Sequence, residues 1–275
     1  MLENFKFANI NAKVKGMYSS FLKKEDYEEL VKQQTIKEAI ILLKNKMKVT
    51  RYIDYNAKRR EIEKELYKIL LVDIRKIYHL LDKKSKEFLE SYLEKQKLKY
   101  NTKEIIQDDE EKLENEFYKE YFKQIYSKAE KFKDKALIDI IGKQIDLYNI
   151  IWTFRAKKYY TSQINSWENF EIPVHYKLSK EVLTKLNQGQ EPPDDIIEKT
   201  IYHEFTLEED KIEKEIQNYL YRLYINNFKT KSFSLTMVIT YIELRQIQIK
   251  NIITIIEGIR YHIDNQKILK KLIIE

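Results

Sequence analysis

The sequence contains no cysteine, four glycines and three prolines in 275 residues. The absence of cysteine excludes a disulfide framework, a thiolate zinc site and a cysteine nucleophile. The glycines, at positions 16, 142, 189 and 258, lie too far apart for the GxGxxG or GxxxxGK(S/T) loops that cradle nucleotide phosphates. A β-rich fold is not expected either, because such folds need many turns marked by glycine and proline.

Long apolar runs are also missing. The most apolar stretch, residues 249–259, is interrupted by Lys250 and Glu257. The first eleven residues carry charges and lack the apolar core of a signal peptide. We therefore expect a soluble, intracellular protein without a membrane-spanning helix.

The composition that remains is typical of helices. All prolines lie between Pro173 and Pro193, and the stretch before them is rich in lysine, glutamate and long aliphatic residues. Apolar residues recur three and four positions apart, which predicts an all-α fold. The main predicted helices lie near residues 7–21, 39–43, 56–81, 113–129, 134–160, 179–186, 194–202, 206–226 and 234–262, with a short one after 264.

Several residues mark the expected helix ends. Thr35 with Glu38, and Thr206 with Glu209, have the spacing of a capping box. Gly189 stands where a helix should stop, and Asp264 can cap the last short helix.

The order of elements repeats three times along the chain. A helix that ends in a basic and aromatic segment is followed by one or two short helices, and Asn11, Asn149 and Asn251 precede the basic residues. This pattern predicts a single domain over residues 1–275 with internal repeats at about 1–105, 106–205 and 206–275.

The charge is unevenly distributed. The chain carries 51 basic and 44 acidic residues, a formal charge of +7. Residues 1–60 and 226–275 are basic, whereas residues 101–120 are acidic. Such a pattern fits nucleic acid, a membrane surface or an acidic partner.

The residues that could carry chemistry form no recognisable catalytic set. The four histidines have no metal-binding spacing, and no serine lies in a G-x-S-x-G elbow. We therefore predict no catalytic, metal-binding or cofactor-binding residues. Asp146 and Glu243 sit inside apolar helices, and we expect each to pair with a base on a neighbouring helix or to face solvent.

The segment from Arg155 to Tyr160 combines basic and aromatic residues. It could bind a nucleic-acid backbone with its tyrosines stacked on bases. Alternatively, its aromatic rings belong to the core and its lysine stems lie over them, which the even spread of aromatic residues along the chain favours.

Four groups of residues resemble the C-type subunits of bacterial and archaeal V/A-type rotary ATPases, which correspond to the d-type subunits of eukaryotic vacuolar ATPases. They are Asn11–Met17 with Phe21-Leu22 and Tyr27–Leu30; Asp146–Ile150 with Trp152 and Arg155–Tyr160; Ile172-Pro173 with Tyr176–Leu178 and Thr200–Tyr202; and Ile249–Ile252 with Gly258–Tyr261. The chain departs from the family pattern at Gln246 and Gln248, where glutamates are usual, and at His262, where glycine is usual. The family pattern also leads us to expect a further segment of the form D-x-x-N near residues 90–105. The nearest counterpart in this chain is the segment at residues 92–98.

The resemblance implies a funnel-like body of three pseudo-symmetric helical lobes on the cytoplasmic face of the membrane. Such a protein performs no catalysis, needs no cofactor, and links the D and F subunits of the axle to the membrane rotor ring. It transmits torque for proton or sodium transport coupled to ATP hydrolysis or synthesis. Two alternatives remain open, a generic helical scaffold and a basic nucleic-acid-binding protein.

Seven residues are candidates for the polar partner-binding surface or for helix pairing. They are Lys13, Lys15, Asn149, Arg155, Lys157, Asn251 and Arg260. For Asn149 and Asn251, the alternative is that they only stabilise helix packing.

Overall fold

The computed structural model describes residues 2–47, 50, 52–94, 110–159, 171–189, 191–206, 208, 211–231 and 233–274. The secondary structure of these residues is helical, without strands, which confirms the predicted all-α class. The helices are α1 (Leu2–Tyr18), α2 (Lys24–Val31), α3 (Ile36–Lys46), α4 (Arg59–Tyr78), α5 (Lys83–Tyr92), α6 (Glu110–Phe132), α7 (Lys135–Tyr159), α8 (Lys180–Gln188), α9 (Pro193–Glu198), α10 (Ile212–Thr230), α11 (Leu235–Arg260) and α12 (Asn265–Lys271).

Local signals in the sequence explain several helix ends. Thr35 and Glu38 form the predicted capping box at the start of α3, where each side chain accepts a hydrogen bond from the other's backbone N–H. Gly189 ends α8 in the left-handed conformation with φ 66°. Asp264 accepts hydrogen bonds from two backbone N–H groups in the first turn of α12.

Several predicted helix boundaries differ from the structure, two of them between residues 194 and 230. The helix expected over 194–202 ends at Glu198, because the Thr200 hydroxyl donates to the Ile197 carbonyl and accepts from the Tyr202 N–H. The helix expected after Thr206 begins only at Ile212 and runs on to Thr230. Glu209, the second half of that predicted capping box, lies outside the described residues, as do residues 95–98.

The described chain divides into two compact units, and each is considered by itself. Unit 1 comprises residues 1–82 and 221–275. Its centre is α11, which packs against α1, α2, α3, α4 and α12. Most of the α11 side chains are buried, including Val238, Ile242 and Ile252, as expected for a helix with apolar residues on every side.

Unit 2 comprises residues 83–220. Its two long helices, α6 and α7, are joined by Lys133 and Asp134 and pack against each other, while α5 contacts α6 and α8 contacts α7. The buried cluster of this unit runs from Leu147 on α7 to Ile216 on α10. Two of the three repeat segments therefore supply the central helices of the units, α11 and α7. The three repeat boundaries and the three lobes stay predictions.

Candidate functional site

The helix α7 holds a non-helical segment of its own unit through one asparagine side chain. Asn149 is 2% exposed. Its amide nitrogen donates to the Ile172 carbonyl at 3.2 Å, and its amide oxygen accepts from the Ile172 N–H at 2.8 Å. The amide therefore satisfies both backbone groups of a buried residue, each of which would cost about 1–3 kcal/mol if left unpaired. We call this pair the α7 anchor.

The helix α11 repeats this arrangement in unit 1. The amide nitrogen of Asn251 donates to the Ile273 carbonyl at 2.7 Å, and its oxygen accepts from the Ile273 N–H at 3.0 Å. The two partners lie 23 residues apart in the α7 anchor and 22 residues apart in this one. We call the second pair the α11 anchor.

These contacts bear on the two roles left open for Asn149 and Asn251. Both side chains are buried, and both use donor and acceptor within their own unit. The geometry favours the packing role, in which each asparagine fixes a segment that follows its long helix.

Beside the α7 anchor lies a buried carboxylate, Asp146. It accepts hydrogen bonds from the backbone N–H groups of Tyr176 (3.0 Å) and Lys177 (2.8 Å) and from the Tyr202 hydroxyl (2.8 Å). The expected base on a neighbouring helix is therefore wrong for Asp146, because two amides and a phenol supply the donors. Burial raises the pKa of Asp146, although these hydrogen bonds oppose the effect. Burial, together with the nearby Asp146 carboxylate, raises the pKa of Tyr202 as well.

In unit 1 a buried ion pair lies between α4 and α11. Arg245 and Asp73 are 2% and 4% exposed, and a guanidinium nitrogen lies 3.1 Å from the carboxylate. Tyr241 donates to Asp73 at 2.6 Å and accepts from Arg245 at 3.0 Å. Arg245 also donates from its other terminal nitrogen to Gln248, and its guanidinium lies 3.8 Å from the ring centre of Phe21. Its buried Nε has no hydrogen-bond partner among the described residues.

The pairing of Asp73 with Arg245 was not predicted from the sequence. Asp73 lies on the apolar face of α4, four residues before Ile77 and three after Leu70, and that spacing could have indicated a buried acid. Gln248, one of the departures from the family pattern, accepts a hydrogen bond from Arg245. The acidic partner of Arg245 is Asp73 on the neighbouring helix.

Two side chains approach the long helices closely at positions where glycine leaves room for them. A Cβ added to Gly142 on α7 would overlap the ring of Tyr176, and one added to Gly258 on α11 would overlap the side chain of Ile268. Gly16 on α1 has open space at the same position. Glycine therefore serves a packing purpose in α7 and α11, next to the segments that the anchors hold.

The charged residues among the seven candidates lie in different surroundings. Lys13 and Lys15 are exposed on α1. Arg155 forms an exposed ion pair with Glu213 at 2.6 Å, which the sequence did not indicate. Arg260 lies 3.4 Å from Glu257, one turn earlier on α11. The side chain of Lys157 lies outside the described residues.

The first repeat segment does not share the anchor geometry. Asn11 on α1 is partly exposed, and its buried side-chain oxygen has no hydrogen-bond partner within the described part of the chain. The repeat predicted from Asn11, Asn149 and Asn251 thus gives the same side-chain contact only in the second and third segments.

The residues that the structure describes contain neither a candidate metal-binding cluster nor a candidate membrane-spanning helix. These residues contain no group of three or more histidines, cysteines or carboxylates arranged to hold a metal ion. Among the same residues, no helix combines the length and the apolar character needed to cross a bilayer.

The sequence matches a known protein family along most of its length. The model of the family described as the ATP synthase (C/AC39) subunit matches residues 10–107 and 99–271, two segments that overlap in the middle of the chain. No match was found among curated proteins.

Proposed function

The chain belongs to the ATP synthase (C/AC39) subunit family, and from this membership we propose that it is a non-catalytic central-stalk component of a V/A-type ATPase. In this role it links the D and F subunits of the axle to the membrane rotor ring, on the cytoplasmic face of the membrane. It transmits torque between ATP hydrolysis or synthesis and the transport of protons or sodium ions.

The observation that carries the proposal beyond family membership is the pair of anchors. A helix of 26 residues such as α11 is about 39 Å long, and α7 is nearly as long. A protein that passes on torque must resist displacement of its long helices within each unit. The α7 and α11 anchors oppose movement of each long helix along the non-helical segment that it holds, because a shift of one residue would break two hydrogen bonds at each asparagine.

Exposed cations supply the proposed partner contacts. Lys13 and Lys15 on α1 and Arg155 on α7 are exposed and can meet acidic groups of the axle or the ring. Arg260 and Lys157 complete the proposed set. Such exposed charges set the orientation and rate of association more than its final strength.

A pull-down with purified axle subunits and the detergent-solubilised ring tests the proposal. The full chain should bridge the two at physiological salt, and the double variant Lys13→Gln, Lys15→Gln should weaken the bridge several-fold. The matched control is Lys37→Gln, Lys64→Gln, which removes two other exposed lysines of unit 1 and should leave the bridge unchanged.

The pull-down, together with a nucleic-acid binding titration at several salt concentrations, separates the alternatives. A chain that folds but bridges neither partner would be a generic scaffold, and the proposal would fail. Affinity for nucleic acid that falls steeply with salt would favour the nucleic-acid alternative instead.

A further inference from the structure

One end of unit 1 combines exposed lysines with an exposed phenylalanine. Two connections meet there, the one between α1 and α2 and the one between α10 and α11. Tyr18, in the last turn of α1, packs on Phe228 in the last turn of α10, with ring centres 4.5 Å apart. The lysines that flank these rings in sequence are all exposed, and they are Lys23, Lys24, Lys229 and Lys231. We call these four lysines, together with Phe233, the lysine–phenylalanine end.

The backbone at Phe233 is unusual for its residue type. Phe233 has φ 62°, in the left-handed region where glycine or asparagine is the ordinary residue, and its side chain is 43% exposed. A bulky residue in this region strains the backbone. The turn thus bears backbone strain while it presents an aromatic ring to solvent.

The start of α2 also departs from the local preference. Lys23 occupies the N-cap, where serine, threonine, aspartate or asparagine is preferred. A lysine ammonium is only a donor, and a positive charge is unfavourable at a helix N-terminus. Asp26 accepts from the Lys23 N–H, but its charge is paired with Lys46 at 2.8 Å. Two local preferences are therefore broken at the same end of the unit.

We propose that the lysine–phenylalanine end binds the anionic phospholipid surface of a membrane. Lysines near such a surface gain about 1 kcal/mol each, and aromatic rings are enriched at the depth of the headgroups. A protein partner fits less well, because a single ring among flexible side chains offers little apolar contact area. The lysine stems can extend around the ring while their charges meet the phosphates.

Sedimentation of the full chain with vesicles tests this proposal. The protein should bind phosphatidylcholine vesicles that contain phosphatidylserine, release from them at high salt, and ignore pure phosphatidylcholine. Two double variants remove the lysines in pairs, Lys23→Gln with Lys24→Gln and Lys229→Gln with Lys231→Gln. Vesicle binding should weaken about fivefold for each lysine that is removed. Phe233→Gly should weaken binding about tenfold without lowering the unfolding midpoint, because glycine relieves the strained φ.

Matched controls come from the opposite end of α11, about 40 Å away by the rise of 1.5 Å per residue. Tyr261 is 68% exposed there, and Lys270 and Lys271 are exposed on α12. Tyr261→Ser and the pair Lys270→Gln, Lys271→Gln should bind vesicles as the wild type does.

Three outcomes would overturn the proposal: no binding to phosphatidylserine, equal binding to pure phosphatidylcholine, or equal losses in the control variants. If Phe233→Gly weakened only binding to the axle or the ring, the end would be a protein-docking surface and the lipid proposal would fail. The vesicles contain no ATPase component, so this result is independent of the bridging experiment.

Discussion

The helices α7 and α11 hold their following segments with the same amide contact, but they treat the charge beside it differently. On α7 the carboxylate of Asp146 is surrounded by neutral donors, two backbone N–H groups and the Tyr202 hydroxyl. On α11 the equivalent position is the neutral Gln248, and the nearby buried carboxylate, Asp73 on α4, is paired with Arg245.

This difference distinguishes two kinds of buried polar contact, one that fixes the position of a backbone segment and one that compensates a charge. The asparagine contact depends only on the backbone of Ile172 or Ile273, so it tolerates different neighbours. A buried charge, in contrast, needs a complete set of partners. The loss of a cation from an ion pair leaves a larger penalty than the loss of one neutral donor. Removal of the cation beside Asp73 should therefore lower stability more than removal of one neutral donor beside Asp146.

The largest expected effect is the loss of Arg245. Arg245→Met leaves the buried Asp73 carboxylate with only the exposed Lys76, 3.7 Å away, as a cation, and should lower the free energy of unfolding by about 3–5 kcal/mol. The exposed pair of Arg155 and Glu213 is the matched control, and Arg155→Met should cost about 0–1 kcal/mol. Urea denaturation measures both variants. Equal losses would show that burial does not govern the strength of these pairs. The double variant Arg245→Met, Asp73→Leu should recover much of the stability.

The two anchors should respond equally to removal of their amides. Asn149→Ala and Asn251→Ala each leave one backbone N–H and one carbonyl without a partner, and each should cost about 2–4 kcal/mol. Hydrogen exchange at the Ile172 and Ile273 N–H groups should accelerate in the corresponding variant only. Asn11→Ala is the control from the first repeat and should cost less than about 1 kcal/mol. A large loss at one anchor with little at the other would refute their equivalence.

Features that depend on residues close together in the chain were predictable from the sequence. The capping box at Thr35, the stop at Gly189 and the cap at Asp264 are local, and all three are present. The asparagine contacts reach 22 or 23 residues along the chain to main-chain groups, which no side-chain pattern identifies. The pairing of Asp73 with Arg245 spans distant helices, so the spacing on α4 could indicate a buried acid but could not identify its partner.

A smaller effect should separate the glycines of the two long helices. Gly142→Ala pushes a methyl group into Tyr176, whose N–H and hydroxyl are both hydrogen-bonded, so the ring cannot retreat easily. Overpacking of this kind costs about 1–3 kcal/mol. Gly258→Ala meets Cδ1 and Cγ1 of the buried Ile268, an aliphatic side chain that no hydrogen bond holds in place, and should cost less. Gly16→Ala, with open space, should raise stability by up to about 1 kcal/mol. Thermal unfolding orders the three variants, and a greater loss for Gly258→Ala would contradict this ordering.

The smallest expected effect is the pH dependence that Asp146 alone contributes. Because burial raises its pKa above the ordinary value of 3.8, the folded state holds the proton more tightly than the unfolded state. The stabilisation is fully present below pH 3.8 and is lost as the pH rises through the folded-state pKa. The stability difference between the wild type and Asp146→Asn should therefore fall as the pH rises above 3.8 and then become constant. Urea titrations at a series of pH values measure this difference. A difference that grows with pH would mean that the Tyr176, Lys177 and Tyr202 donors outweigh burial.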